Sequence, residues 1–164
     1  MKKNFLINKF ILFEDDYYKK YLEDNFDVQK IFELIEKLFN KTKKVFTIFF
    51  CSGKTIREYN KNYRNIDKET DVLSFIFNPS NKVEKKYKKL KNLRTSFIYI
   101  GDLIVSPENI LRKAYEQNEE KNELLLYMIV HSYLHLEGFS HDNEEQYKLI
   151  EKKTEKILNN LLKF

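Results

Sequence analysis

The chain of 164 residues has little of what rigid small or secreted folds rely on: one cysteine, no tryptophan, three glycines and two prolines. A lone thiol, Cys51, excludes an intramolecular disulfide framework and fits a reducing compartment. The scarcity of glycine and proline excludes collagen-like and low-complexity chains. Alanine occurs once, at Ala114. No uncharged apolar run reaches the ~18 residues of a membrane-spanning helix. Lys2-Lys3 followed by Phe5-Leu6-Ile7 briefly imitates a secretory leader, but Asn8, Lys9 and Glu14-Asp15-Asp16 end it without a cleavage site. The expectation is a cytoplasmic chain without a membrane span.

What the chain does have is large side chains: 14 Phe and 11 Tyr supply core volume despite a modest 42% apolar content. Thirty Lys+Arg against 25 Asp+Glu leave a net charge of +5. Seven basic residues with one acid, Glu84, lie between Lys82 and Arg94. This run is either wetted surface or an electrostatic guide for phosphates.

Phe5–Phe13 reads as a weakly patterned strand. Val28, Ile31, Phe32, Ile35, Leu38 and Phe39 recur at helical spacing and predict a helix over 27–40. Val45–Phe50 predicts a strand closed by Ser52-Gly53, and Thr55–Tyr63 a helix. Thr70–Phe77 predicts a strand ending at Asn78-Pro79-Ser80, and Ser96–Ser106 a strand interrupted at Gly101-Asp102. Ser106-Pro107 marks a helix start, with Ser as N-cap. A helix over 119–137 is stopped by Gly138, and a final amphipathic helix covers 143–162. With no linker or repeat, the expectation is a single α/β (α+β) domain over residues 1–164, built around one sheet.

All three histidines fall within eleven residues: His131-Ser132-Tyr133-Leu134-His135-Leu136-Glu137-Gly138-Phe139-Ser140-His141. His131 and His135, four apart on a helix, have Cβ atoms about 5–6 Å apart on one face. On a continued helix His141 would lie about 15 Å along the axis from His131. Gly138 can take the left-handed conformation that turns the chain and lets the third imidazole return. Three neutral nitrogen ligands with one open position fit a catalytic zinc, although imidazole also suits nickel and copper. Such an ion could acidify water or polarise a phosphoryl or carbonyl oxygen. The spacing is also that of metzincin-like zinc proteases, but those need Glu after the first His and a Met-turn. Here Ser132 occupies the first position and no Met follows His141. Glu137 is a conceivable substitute base or a carboxylate at the helix end.

The histidine segment resembles the YbeY family signature H-G-x-L-H-L-x-G-[YF]-D-H. It is met by His131, Leu134, His135, Leu136, Gly138, Phe139 and His141, with Ser132 for the Gly and Ser140 for the Asp. Ile56–Arg64 resembles the family's I-x-x-L-N-x-x-Y-R, with Tyr59 for the Leu. Thr70-Asp71-Val72-Leu73-Ser74-Phe75 matches T-D-V-L-S-F, Gly101–Ser106 resembles G-D-I-x-I-S, and Glu155–Leu158 the closing E-x-I-L. The resemblance runs from about residue 45 to 160; the first 40 residues and the basic insert are not part of it.

The resemblance implies a metal-dependent, single-strand endoribonuclease of ribosomal RNA maturation, including 16S rRNA 3′ end processing, and of ribosome quality control. It implies a mixed, mostly parallel sheet of about four strands, helices around it, and a metal at a helix end in an open cleft. His131, His135 and His141 carry over as ligands of one Zn²⁺, His131 and Arg64 as catalytic residues, and RNA and ribosome-associated proteins as partners. From the residues alone, Arg64 could clamp a phosphate or pair with Glu58 or Asp67. Asp71 and Ser74 read equally well as structural, and Asp102 as facing the cleft or forming a bulge. A ribosome- or RNA-binding factor with a structural metal is the non-catalytic alternative.

Overall fold

The computed structural model describes residues 6–77 and 97–163. Its four strands, β1 (Ile11–Phe13), β2 (Lys44–Phe50), β3 (Val72–Ile76) and β4 (Ile98–Val105), form one sheet in the order β1-β2-β4-β3. β1, β2 and β4 run parallel, and β3 joins β4 antiparallel. The mixed, mostly parallel α/β sheet expected from the sequence is present. The Lys82–Arg94 run and the Asn78-Pro79-Ser80 turn lie outside the described residues.

Six α-helices accompany the sheet among the described residues: α1 (Asp16–Asn25), α2 (Val28–Thr42), α3 (Gly53–Arg64), α4 (Pro107–Gln117), α5 (Lys121–Leu136) and α6 (Glu144–Leu162). Local chemistry sets their ends. Asp27, Ser52 and Asn143 each accept a hydrogen bond from a backbone N–H three residues on, satisfying a donor that the first turn leaves open. Lys43 and Asn118 end α2 and α4 in the left-handed conformation.

Alternation along the strands divides the interior. Phe46, Ile48 and Phe50 of β2, with Leu103 and Val105 of β4, face a large core that α2, α4, α5 and α6 complete. On the opposite face Cys51, Leu73 and Ile104 meet Ile56 of α3, with Phe49, Tyr59 and Phe75 packed around them. Each fully buried large aliphatic side chain contributes ~1.5–3 kcal/mol. The larger core therefore dominates stability, and α3 is held on the thinner side.

Three expectations are corrected. Residues Leu6–Phe10 form a 3₁₀ helix, not strand, and only Ile11–Phe13 pairs with β2. Ile7 is buried and Phe10 partly so while Asn8 and Lys9 are exposed, a spacing of three that suits the three-residue turn. Helix α1 was not expected: its inward face of Tyr18, Tyr21, Leu22 and Asn25 has helical spacing but holds a single aliphatic residue, Leu22, which is also its one buried residue. Ser106 occupies the cap position of α4 but donates and accepts no side-chain cap bond; its hydroxyl is buried without a partner among the described residues.

Gly101 explains the interruption in β4. It sits at φ 148°, where the register against β2 shifts, so that Val45 pairs with Tyr99 and Phe46 with Gly101. A Cβ there would lie 2.2 Å from the Phe75 carbonyl oxygen and 2.9 Å from Leu136 Cδ2. Both backbone conformation and space therefore demand glycine at this bulge. Gly101→Ala is expected to cost about 3 kcal/mol or more of unfolding free energy, through strain plus overpacking, as measured by urea denaturation.

Candidate metal centre

Helix α5 is buried almost all round, a pattern that places a helix inside a fold rather than on it. Leu124, Leu125, Leu126, Ile129, Val130, Ser132, Tyr133, Leu134 and Leu136 are all buried. Tyr127, His131 and His135, each four residues from the next, are only partly buried. They form one stripe, so burial of the rest of the helix aims both imidazoles the same way.

The third imidazole arrives through the helix end. Gly138 has φ 94°, its N–H donates to the His135 carbonyl at 2.9 Å, and the Phe139 N–H donates to the Leu134 carbonyl at 3.1 Å. This pair of bonds is the Schellman reversal, which closes open carbonyls and turns the chain back. A Cβ at Gly138 would meet nothing within 4 Å, so glycine is favoured there by backbone conformation alone. His141 then comes within 4.8 Å of His135 and 6.0 Å of His131 between ring centroids, and His131 and His135 are 4.9 Å apart. One nitrogen from each ring lies within 4.8 Å of those of the other two. The reversal expected at Gly138 therefore brings the three rings together, at the end of a helix.

The donor set fits a metal ion. His135 Nδ1 lies 2.9 Å from the Phe139 carbonyl oxygen, which can only accept, so Nδ1 carries the proton and Nε2 keeps its lone pair. Thr154 donates its hydroxyl proton to the Ile150 carbonyl at 2.8 Å. It can therefore only accept from His131 Nδ1, at 3.5 Å, and the Glu151 carboxylate lies 3.6 Å from the same nitrogen. Partners of this kind fix tautomer and ring orientation. Burial, reinforced by the neighbouring imidazoles, holds His131 and His135 below the ordinary histidine pKa. Both rings are thus neutral ligands near pH 7.

Glu151, Thr154 and Tyr127 were not singled out in the sequence. Tyr127 stacks on His131 with centroids 5.7 Å apart and donates its hydroxyl to Glu151 at 2.5 Å. One available signal was Thr154, a hydroxyl set within the apolar stripe of Ile150, Leu158 and Leu161. Ser140 donates to Gln146 at 2.8 Å rather than supporting a ligand. Asp142 bonds no imidazole, although its charge favours protonated His135.

Arg64 ends α3 and is exposed. The ion pairing weighed for it is absent among the described residues: Asp67 is engaged by Arg57 at 2.8 Å and Lys61 at 3.3 Å. Its charge is close enough to disfavour protonation of His135. Three other residues take structural roles. Asp71 pairs with Lys113 at 2.9 Å, Ser74 donates to the Ser132 carbonyl at 3.5 Å, and Asp102 accepts from the Tyr99 hydroxyl at 2.5 Å beside the bulge. Glu137 is bound by Lys44 Nζ and accepts from the Tyr133 hydroxyl at 2.8 Å.

Two measurements check this geometry. Thr154→Val keeps the side-chain shape but removes the acceptor at His131 Nδ1, so metal affinity by chelator competition is expected to fall about tenfold. The lowered histidine pKa values set a sign for pH dependence. The unfolded chain binds more protons than the folded one below the ordinary value of 6.5, so stability is full above it and declines as pH falls through the lower folded values. In metal-free protein, unfolding free energy is expected to decline as the pH falls below the ordinary histidine value of 6.5, and to decline less in the His131→Gln/His135→Gln double variant.

The family model for Endoribonuclease YbeY matches residues 14–162. Endoribonuclease YbeY of Mycoplasmopsis pulmonis is 35% identical over 133 residues, covering 80% of this chain and 83% of that protein. Endoribonuclease YbeY of Caldicellulosiruptor bescii is 35% identical over 152 residues, covering 85% of this chain and 92% of its own length. The solution structure of TM1509 from Thermotoga maritima shares the fold, with a TM-score of 0.54 at 24% identity over 92% of this chain and 87% of that one. With its three imidazoles gathered by the signature segment, the chain belongs to the YbeY family.

Proposed function

We propose that this protein is a metal-dependent endoribonuclease that cuts single-stranded RNA during ribosomal RNA maturation. The observation that carries the reading is the convergence of three imidazoles near an arginine that has no ion-pair partner among the described residues. The names of its relatives supply the substrate class. Residues 1–164 act as one hydrolase domain, in the cytoplasm, on RNA and with ribosome-associated proteins, including in ribosome quality control.

His131, His135 and His141 would hold the ion, and zinc is the ion proposed because an all-imidazole set of three suits a catalytic zinc site. When bound, a divalent ion supplies Lewis acidity toward a phosphoryl oxygen and acidifies water. The rest falls to the chain. Phe139 and Thr154 hold the imidazole protons at Nδ1 and so keep the Nε2 lone pairs of His135 and His131 available. Arg64 presents a planar fork of donors to two oxygens of one phosphate, stabilising charge as the phosphodiester opens.

The two positions weighed for a protease base are occupied otherwise. Ser132 is buried against the sheet side of α5, and Glu137 is committed to Lys44 and Tyr133. Incubation of the purified protein with single-stranded RNA and with casein, with and without chelator, separates the readings. RNA cleavage that chelation abolishes is expected, with casein left intact. Arg64→Ala is expected to retain its metal and lose on the order of 100-fold in RNA cleavage. Cut casein would revive the protease. A chelator that only unfolds a protein without nuclease activity would assign the metal a structural role.

A further inference from the structure

Next to Arg64 in the chain, the exposed ring of Tyr63 stands against two partly buried aromatic rings, and the nuclease chemistry uses none of them. Tyr63 is 66% exposed, on a helix whose Ile56 and Asn60 are buried. One turn back, Tyr59 lies nearly parallel to it, with centroids 5.9 Å apart and an interplanar angle of 15°. Phe75 of β3 meets Tyr63 edge-on at 5.2 Å and Tyr59 at 6.4 Å. These contacts brace Tyr63 from the sheet side and leave most of the ring to solvent.

The position of this shelf is set by β3, the last strand of the sheet among the described residues. Phe75 projects toward α3, while its neighbour Ser74 projects the other way and bonds the Ser132 carbonyl, next to His131. The aromatic rings thus pack on the α3 face of β3, and the helix that carries His131 and His135 packs on its other face. Arg64 follows Tyr63 at the end of α3, and its charge is felt at His135. A ligand that spans them must offer a flat π-surface and an anionic group at short separation, as one nucleotide of an unpaired strand does.

We propose that Tyr63, braced by Tyr59 and Phe75, stacks a nucleobase of single-stranded RNA whose adjacent phosphate is held by Arg64 beside the three histidines. This rests on the nuclease reading and deepens it. Stacking reads no base edge, so the shelf selects for unpaired rather than for particular nucleotides. A base inside a duplex has both faces covered by its neighbours and cannot occupy it.

The test uses the full chain with zinc added and a single-stranded oligoadenylate of about 12 nucleotides carrying one 2-aminopurine. Binding is followed by anisotropy and stacking by 2-aminopurine quenching, both read in stopped flow before cleavage. Tyr63→Ala is expected to weaken binding about tenfold and to lose the quench. Tyr63→Phe is expected to keep both, because the hydroxyl is not needed. Tyr63→Leu, which preserves apolar packing without a π-system, is expected to behave like the alanine variant while unfolding at the wild-type temperature. An abasic oligomer of equal length should bind wild type and Tyr63→Ala alike. The proposal is overturned if Tyr63→Ala binds and quenches as wild type does, or if Tyr63→Phe is as weak as Tyr63→Ala. Metal-dependent cutting of the oligomer with Tyr63→Ala unaltered would remove the shelf alone; a wild-type chain that neither binds nor cuts it would remove the nuclease reading as well.

Discussion

The candidate site depends on the burial of one helix. Helix α5 packs against β3, β4, α4 and α6, and nearly every position that could turn outward is already committed to the core. A helix fixed on so many sides cannot rotate about its axis without exposing leucines, at ~1.5–3 kcal/mol for each. The Tyr127–His131–His135 stripe is therefore aimed by the hydrophobic effect rather than by any interaction of its own. Rings held this way have little side-chain freedom left to lose on gathering around an ion, which favours affinity.

Two other segments are brought to that stripe by different means. His141 comes by backbone hydrogen bonding, through the left-handed glycine that ends α5. Arg64 comes by way of α3, whose two ends are treated in opposite senses. Its first turn is clamped by carboxylates: Glu14 accepts from the Ser52 N–H at 2.6 Å, and Glu108 from the Gly53 N–H at 2.5 Å. These negative charges complement the helix dipole, and they also fill the place where an anion could otherwise bind. The C-terminal end carries the exposed Arg64. The two ends of α3 thus differ in charge, carboxylates at the first turn and a guanidinium at the last, whose field reaches His135.

Elements with a strong period or a decisive residue were legible in the sequence, and so was the core of the site. Gly138 between His135 and His141 was enough to require a reversal, and the reversal is there. The interruption at Gly101-Asp102 marked a bulge, but its cause, a carbonyl of β3 pressed against the Gly101 Cα, belongs to a pairing that sequence spacing does not reveal. Helix α1 and the 3₁₀ turn at Leu6–Phe10 were missed because one buries a single residue and the other repeats every three. Glu151 was invisible for a further reason, and Thr154 showed only as a hydroxyl in an apolar stripe: neither has a partner on α5 until α6 folds back along it.

That folding back also bears on why the spacing of a protease serves a different chemistry. In the H-x3-H-x5-H pattern the position after the first histidine could hold a base only if it faced the ion. Here it belongs to the buried side of α5, where Ser132 is 1% exposed and its carbonyl receives Ser74 of β3. A carboxylate at 132 would have to lose its water within the core, at a cost of several kcal/mol. The acidic groups near the rings stand elsewhere: Glu151 behind His131, on its Nδ1 side, and Glu137 turned to Lys44 and Tyr133. Two charged groups act on His135 without an ion-pair partner among the described residues: Asp142, whose carboxylate favours the protonated ring, and Arg64, whose guanidinium opposes it. An exposed guanidinium near the imidazoles suits an anionic group on the substrate, which the phosphodiester backbone of the proposed RNA substrate supplies.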